Sequence, residues 1–367
     1  MKKNNPKVAV IGLKGLPAYG GAAAVGEALI NELKENYQFT VYSTSSHTHL
    51  KTGVYSGYKQ VVFKKIPFKK LNTLYYYIVS AFHALLFSKY DLIHLHHRDA
   101  AFIIPLLRIR YKVVVTTHNS FVVTDKWKKY EWFFQLNERY FIRFANRVTC
   151  VSFNEVRKFK DKTGLDVTYI PNGISAISLS ELPDVNESIY IFFGAGRIIR
   201  TKALHILLKA LHQINYNGKL LIAGDIDQNI EYKKELLELS KGIQTEYLGL
   251  IKEKNLLLNY IQSAKLFIYP SSLEAMSMML LEGASVQTPI ICSDIVENKD
   301  IFSDDEVLFF KVDDYNDLAS KITFAFNNLE KMNMKAENAY KKLVNEYNWE
   351  KISLKYAEIY DSLMKIM

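Results

Sequence analysis

Short, continuously apolar runs alternate with stretches of helical spacing along most of this chain. Residues 7–11 (KVAVI), 39–43 (FTVYS), 91–95 (DLIHL), 112–116 (KVVVT), 147–152 (RVTCVS) and 167–170 (VTYI) predict strands in the first half. Between the first two, residues 22–33 place Val25, Leu29 and Leu33 on one helical face. Residues 101–107 form a further apolar stretch. A second half of the same kind follows: strands over 190–194 (YIFFG), 219–223 (KLLIA), 245–248, 266–269 (LFIY) and 288–294 (TPIICSD), with an apolar-faced helix over 203–211. The runs are continuously apolar rather than alternating, as in parallel strands covered on both faces. Pro171-Asn172-Gly173 is a turn signal, and a polar linker is expected over about 173–187. The pattern predicts an α/β protein of two doubly wound Rossmann-like domains facing a cleft, residues 1–173 and 174–345.

Length agrees, since 367 residues suggest about two domains. A composition of 49% hydrophobic and 23% charged residues is that of a globular protein. Cys150 and Cys292 each sit in an apolar run, so buried free thiols in a reducing cytoplasm are expected rather than a disulfide framework. No secretory leader is expected from the opening residues. The longest apolar stretch, 74–87, is interrupted by Ser80 and His83 and falls short of the ~20 residues needed to span a bilayer.

The first chemical signal is the pair Glu274 and Glu282, within YPSSLEAMSMMLLEGASVQTPIICSD. Pro270 stops the strand. Ser271 and Ser272 are expected as caps of a helix that carries Glu282 about two turns in. Both carboxylates then lie at a strand-to-helix turn, where parallel α/β sheets bind ligands. Ala and Met beside Glu274 argue against a merely solvated helix face. The second signal is the glycine-rich stretch Gly12 to Gly21, between the first strand and the first helix. Glycines admit close backbone approach, and a helix start offers N–H groups to an anion. It is not the dinucleotide fingerprint. The third is Gly194-Ala-Gly196-Arg197-Ile-Ile-Arg200-Thr-Lys202, where Arg197 and Lys202 are placed to meet a diphosphate.

With these motifs in order, the chain resembles the retaining GT-B glycosyltransferases of glycosyltransferase family four (glycosyl transferases group 1). GLKGLPAYGGAAAVGEAL, DLIHLH, VVVTTHN, RVTCVS, YIPNGI, GAGRIIRTKALHILLKAL, LLIAGD, EYLGLI, the two-glutamate segment and TPIICSD carry the likeness. YNWEKISLKYAEIY is similar to the family's last helix. The resemblance implies a C-terminal helix, 346–367, packed back on the N-terminal domain. It implies an N-terminal acceptor domain, a C-terminal donor domain and a nucleotide-sugar donor, UDP- or GDP-linked, with no metal and no other cofactor. Arg197 and Lys202 would neutralise the diphosphate, and Glu282 would hold the ribose hydroxyls. Glu274 would face the transferred sugar beside Met276, Ser277 and Leu281. Gly20 and Gly21 would approach the phosphate, Ile251 the base, and His118 the reacting sugar. The acceptor would be a glycan or lipid-linked saccharide in the building of capsule, O-antigen or exopolysaccharide.

Two departures stand out. Where the family usually reads Glu-Gly-Phe-Gly, this chain reads Glu274-Ala275-Met276-Ser277, and Lys202-Ala203 replaces Lys-Gly. A loop that required positive φ there would be strained. His94, His96 and His97 resemble a metal cluster in spacing, but further ligands are missing and no metal is expected.

Charge adds a last feature. The whole chain carries +9, but residues 1–175 hold 26 Lys/Arg against 11 Asp/Glu, while residues 176–367 hold 21 against 27. Lys64, Lys65, Lys69 and Lys70 precede an aromatic-rich stretch (Tyr75–Tyr77, Phe82, Phe87), with Arg108, Arg110, Lys126, Lys128 and Lys129 in sequence beyond it. The combination is expected to meet an anionic membrane surface, placing the protein in the cytoplasm, peripheral on the inner face of the membrane. The opposing reading makes 75–87 a core helix with solvated lysines before it. Two other functions compete with sugar transfer: a nucleotide-sugar epimerase on the same fold, and a basic nucleic-acid binder. No recognition motif supports the latter, and no nucleic-acid partner is expected.

Overall fold

The computed structural model describes residues 5–18, 21–68, 71–118, 131–175 and 189–364. The chain divides into two compact units, Met1–Asn172 with Trp349–Met367, and Gly173–Asn348.

The first unit is built on β1 (Lys7–Lys14), β2 (Gln38–Thr44), β3 (Gly53–Tyr55), β4 (Tyr58–Phe63), β5 (Leu92–His96), β6 (Lys112–Thr117), β7 (Arg147–Cys150) and β8 (Thr168–Tyr169). Their order is β3-β4-β2-β1-β5-β6-β7-β8. Every pairing is parallel except β3 with β4 at the edge. The helices α1 (Gly21–Leu33), α2 (Asn72–Phe87), α3 (Ile104–Leu107), α4 (Glu131–Leu136) and α5 (Phe153–Thr163) fall between strands. Val8, Val10, Ile93, Leu95, Val113 and Val115 are fully buried or nearly so, which is why these runs lack alternation. At the end of β1 the chain needs a glycine. Gly12 has φ +116°, and a Cβ there would stand 1.8 Å from the carbonyl oxygen of His96.

The second unit orders β11 (Gln244–Gly249), β10 (Lys219–Asp225), β9 (Tyr190–Arg197), β12 (Leu266–Tyr269), β13 (Ile290–Ser293) and β14 (Leu308–Phe310) in one parallel sheet. Around it lie α6 (Leu204–Gln213), α7 (Ile230–Leu239), α8 (Lys254–Gln262), α9 (Met278–Ser285), α10 (Val296–Lys299), α11 (Tyr315–Asn327) and α12 (Leu329–Glu346). The chain then returns to the first unit as α13 (Trp349–Met364). That helix packs against α1. Tyr37 meets Tyr360 edge-on at 5.4 Å, and its hydroxyl donates to Asp361 Oδ1 at 2.8 Å.

Several expectations need correction. The chain carries strand β4 over Tyr58–Phe63, just ahead of the basic residues Lys64 and Lys65 and among the strands not expected from the sequence, and β3 before it. Gln60 of β4 is fully buried; its Oε1 accepts from Leu16 N at 3.1 Å and from Ser43 Oγ at 2.8 Å, which anchors the glycine-rich loop after β1. The apolar stretch 101–107 forms a 3-10 turn and the short α3. Most of the expected linker, residues 176–188, lies outside the described residues. Cys150 and Cys292 are free and buried, and burial pushes both thiols up from their ordinary value. Among the described residues no helix is long and apolar enough to cross a membrane.

Candidate functional site

In the second unit, β9 and β12 lie side by side in the sheet, and the segments following them meet. After β9, the turn Arg200–Lys202 is tied to the loop after β12. Ser272 N donates to the carbonyl of Thr201 at 2.8 Å, and Ser271 Oγ to the same oxygen at 3.0 Å. The tie places Lys202 Nζ in an ion pair with Glu274 Oε1. The carboxylate also accepts from Ser271 Oγ at 2.6 Å and from the Tyr269 hydroxyl. Burial, and then the neighbouring Glu274 charge, hold the Tyr269 hydroxyl well above its ordinary pKa, so it stays protonated and donates. Ser277 Oγ donates in turn to Tyr269 Oη at 2.6 Å. Glu274 is therefore an oriented carboxylate within a polar network.

Ser271 and Ser272 do not cap the helix, as their position suggested. The N-cap of α9 is Ser277, whose Oγ accepts from Leu280 N at 3.3 Å. Ser277 has φ −81° and ψ 120°, and Ala275 is not among the residues of positive φ, so the replaced glycines cause no strain here. Strain falls at the other departure. Ala203 is fully buried at φ 54°, ψ 32°, a left-handed conformation that costs an L-residue about 1–2 kcal/mol. Ser277→Ala removes both the cap and the support of Tyr269. It is expected to destabilise the protein by about 1–2 kcal/mol, read as a lower urea midpoint at unchanged slope. An unchanged midpoint would show that the cap contributes nothing.

Glu282 is the fifth residue of α9, in its second turn rather than two full turns in. It is buried and paired with Lys254, the first residue of α8, a half-exposed cation that the sequence reading missed. Gly283 beside it allows α9 to lie on β12, since a Cβ there would meet Phe267 Cδ1 at 2.4 Å. Arg197 is exposed at the end of β9, and Ile251 half-buried after β11. Met276 is buried. Leu281 is fully buried, so its side chain packs within the unit's core. Tyr269, Ser271 and Lys254 are the functional candidates that sequence reasoning passed over. The hydroxyls of YPSS were legible as donors near Glu274. Lys254, 28 residues from Glu282, carried no local signal.

In the first unit, parallel β5 and β6 bring histidines together. His94 Nδ1 bonds Tyr360 Oη of α13 at 2.6 Å, and its Nε2 bonds Thr116 Oγ1 at 2.7 Å. His96 Nδ1 and His118 Nε2 share a hydrogen bond at 3.0 Å, their rings stacked at 5.2 Å. Burial, and then neighbouring ring charges, push His96 and His118 well below their ordinary pKa, and His94 to about 3. Burial with Lys14 and Arg98 does the same for His97, also to about 3. All four are neutral imidazoles at physiological pH. His118 follows the last residue of β6, and its buried Nδ1 has no hydrogen-bond partner among the described residues. Gly21 opens α1 at φ +60°, with open space where a Cβ would sit. Gly20, Lys69, Lys70, Lys126, Lys128 and Lys129 lie outside the described residues, while Lys64 and Lys65 are exposed.

Comparison with known proteins adds the following. Residues 19–176 match the family described as Glycosyltransferase Family 4, and residues 180–342 match Glycosyl transferases group 1. An uncharacterized glycosyltransferase of Methanocaldococcus jannaschii is 24% identical over 95% of this chain and 96% of its own. The O-antigen chain mannosyltransferase C of Escherichia coli is 23% identical over 75% of this chain and 73% of its own. Among solved structures, sucrose-phosphate synthase from Thermosynechococcus elongatus superposes with a TM-score of 0.84 at 20% identity, covering 99% of this chain and 100% of that one. HepE of Anabaena in complex with UDP-glucose gives 0.75 at 16%, covering 98% and 100%. At such identities these structures show the fold, which is of the GT-B type.

Proposed function

From a chain that belongs to the group 1, family 4 glycosyltransferases, we propose retaining transfer of a sugar from a nucleotide-diphosphate-sugar to a saccharide or lipid-linked saccharide acceptor. The pathway is the building of a surface polysaccharide, as the name of the O-antigen relative suggests. The observation that carries this reading is the joined end of β9 and β12, where Lys202, Tyr269, Ser271 and Ser277 converge on Glu274.

Each residue then has a physical task. When the donor's glycosidic bond breaks, negative charge grows on the departing diphosphate. Lys202 and Arg197 are the cations that stabilise it, and fixed charges help most where charge develops. Glu274, held by three donors, accepts hydroxyl groups of the sugar being transferred. Glu282 is a buried carboxylate suited to the paired hydroxyls of a ribose. His118, neutral and with Nδ1 unengaged by the described residues, can accept or donate one hydrogen bond to the reacting sugar. UDP or GDP is the proposed carrier, and a neighbour of the same fold was solved with UDP-glucose.

The direct test is a screen of UDP-, GDP-, dTDP- and ADP-sugars for protection against unfolding. A ligand at 100 times its Kd adds about 2.7 kcal/mol. One nucleotide class is expected to protect, and Glu282→Ala to remove most of that protection. No protection by any of the four classes would overturn the reading.

A further inference from the structure

Helix α2 takes no part in the donor site, and it has two apolar faces. Over its 16 residues it carries no Asp, Glu, Lys or Arg. One face, with Tyr76, Tyr77, Ser80, Ala81 and Ala84, is buried in the first unit. On the opposite face Leu74, Ile78, Phe82 and Leu86 recur at every fourth position and remain exposed, Phe82 by 48% and Leu86 by 67%. Residues four apart on a helix stand one above the other, so these form a single stripe. Phe68 before the helix and Phe87 at its end are also exposed, Phe87 by 75%. A core helix would not expose such a row, and a solvated helix would not be built from it.

The charges around the stripe have one sign. From Glu35 to Asp91 the sequence holds seven lysines and not one intervening Asp or Glu. Lys64 and Lys65 are exposed ahead of the helix, and Lys89 just past its end. Arg110 is also exposed and donates from Nη1 to the carbonyl of Leu85 at 2.7 Å, which fixes a further cation beside the last turn. Exposed Ile109 precedes it.

We propose that this face docks on an anionic lipid leaflet, with the stripe entering the headgroup–acyl boundary and the flanking cations meeting lipid phosphates. A second copy fits less well. A two-fold contact would set the same cation-flanked patch against itself, opposing like charges. The inference is independent of the sugar donor and does not rest on the donor-site assignment.

Flotation of the full chain with vesicles, in the absence of any nucleotide sugar, tests it. The probes are phosphatidylcholine vesicles with and without roughly 30% phosphatidylglycerol, a strongly anionic surface. Expected is binding to the anionic vesicles, weak binding to neutral ones, and loss of binding as salt screens the charges. The double variant Ile78→Glu with Phe82→Glu is expected to lower partitioning at least about tenfold. Its unfolding temperature and its protection by the nucleotide sugar should stay near wild type, because both side chains are exposed. Lys64→Glu with Lys65→Glu should reduce binding to anionic vesicles specifically.

Three results would overturn the proposal: no binding of the wild type to anionic vesicles at low salt, wild-type partitioning by the Ile78/Phe82 variant, or a wild-type dimer in sedimentation that this variant dissolves. Failure of every nucleotide sugar to protect would count against the donor site and leave this inference untouched.

Discussion

Lys202→Ala is expected to lower turnover about 10²–10³-fold, the usual cost of removing one group aimed at developing charge in a transition state. The lysine is held rather than merely present. The carbonyl of Thr201, one residue earlier, accepts from both Ser271 and Ser272, which pins the turn that carries it. Its ammonium contacts Glu274 and lies 3.4 Å from the Tyr269 hydroxyl. Removing it takes a cation from the proposed diphosphate position and leaves the Glu274 carboxylate, mostly buried, without its counter-charge. Lys202→Arg keeps the charge but spreads it over a planar fork, so partial recovery is expected, short of wild type. Steady-state kinetics with the protecting nucleotide sugar give the comparison. Wild-type turnover by Lys202→Ala would remove the lysine from the mechanism.

The second large effect is on stability. In the unfolded chain a histidine takes up its proton near pH 6.5, whereas in the fold burial, and then His118, hold His94 to about 3. His96 is lowered in the same direction by burial and by its three histidine neighbours. Between those two values the unfolded chain binds more protons than the folded one, so stability falls as pH falls. The contribution is complete above about pH 7.5 and is lost progressively below about 6.5. By pH 5 the loss is about 2 kcal/mol for His94 alone, and fully buried His96 adds to it in the same direction. Carboxylates of lowered pKa, Asp294 and Glu306, lose their own contribution only as pH falls through the carboxylate range, below the pH 5.0 at which the histidines are read. Urea unfolding at pH 7.5 and pH 5.0 measures the difference. Equal stabilities at the two values would show that the cluster charges freely in the fold.

Much of the architecture was legible in the residues. The strands at 7–11, 112–116, 219–223 and 266–269 were found because buried parallel strands lack alternation and stand out as apolar runs. β4 escaped because YKQVVF mixes a lysine and a glutamine into a short run beside further lysines, and only its neighbours bury Gln60. The edge strand β3 is three residues long and pairs only with β4. At the site, Glu274, Glu282, Arg197 and Lys202 could be named from motif order. α9 turns Leu281 wholly into the core. For residues 75–87 the core-helix reading accounts for one face only, since α2 buries that face and exposes a second apolar one.

The sequence by itself determined the two parallel α/β halves, the family, and the residue types gathered at the strand ends, because periodicity and local motifs are properties of neighbours in the chain. Tertiary structure alone decided which charges and polar groups meet. The pairing of Lys202 with Glu274, of Glu282 with Lys254 and of His94 with Tyr360 joins positions 72, 28 and 266 residues apart. It also decided that Ser277 caps α9 without strain while Ala203 bears it, because a residue's φ is set by the turn it must complete and not by its own side chain.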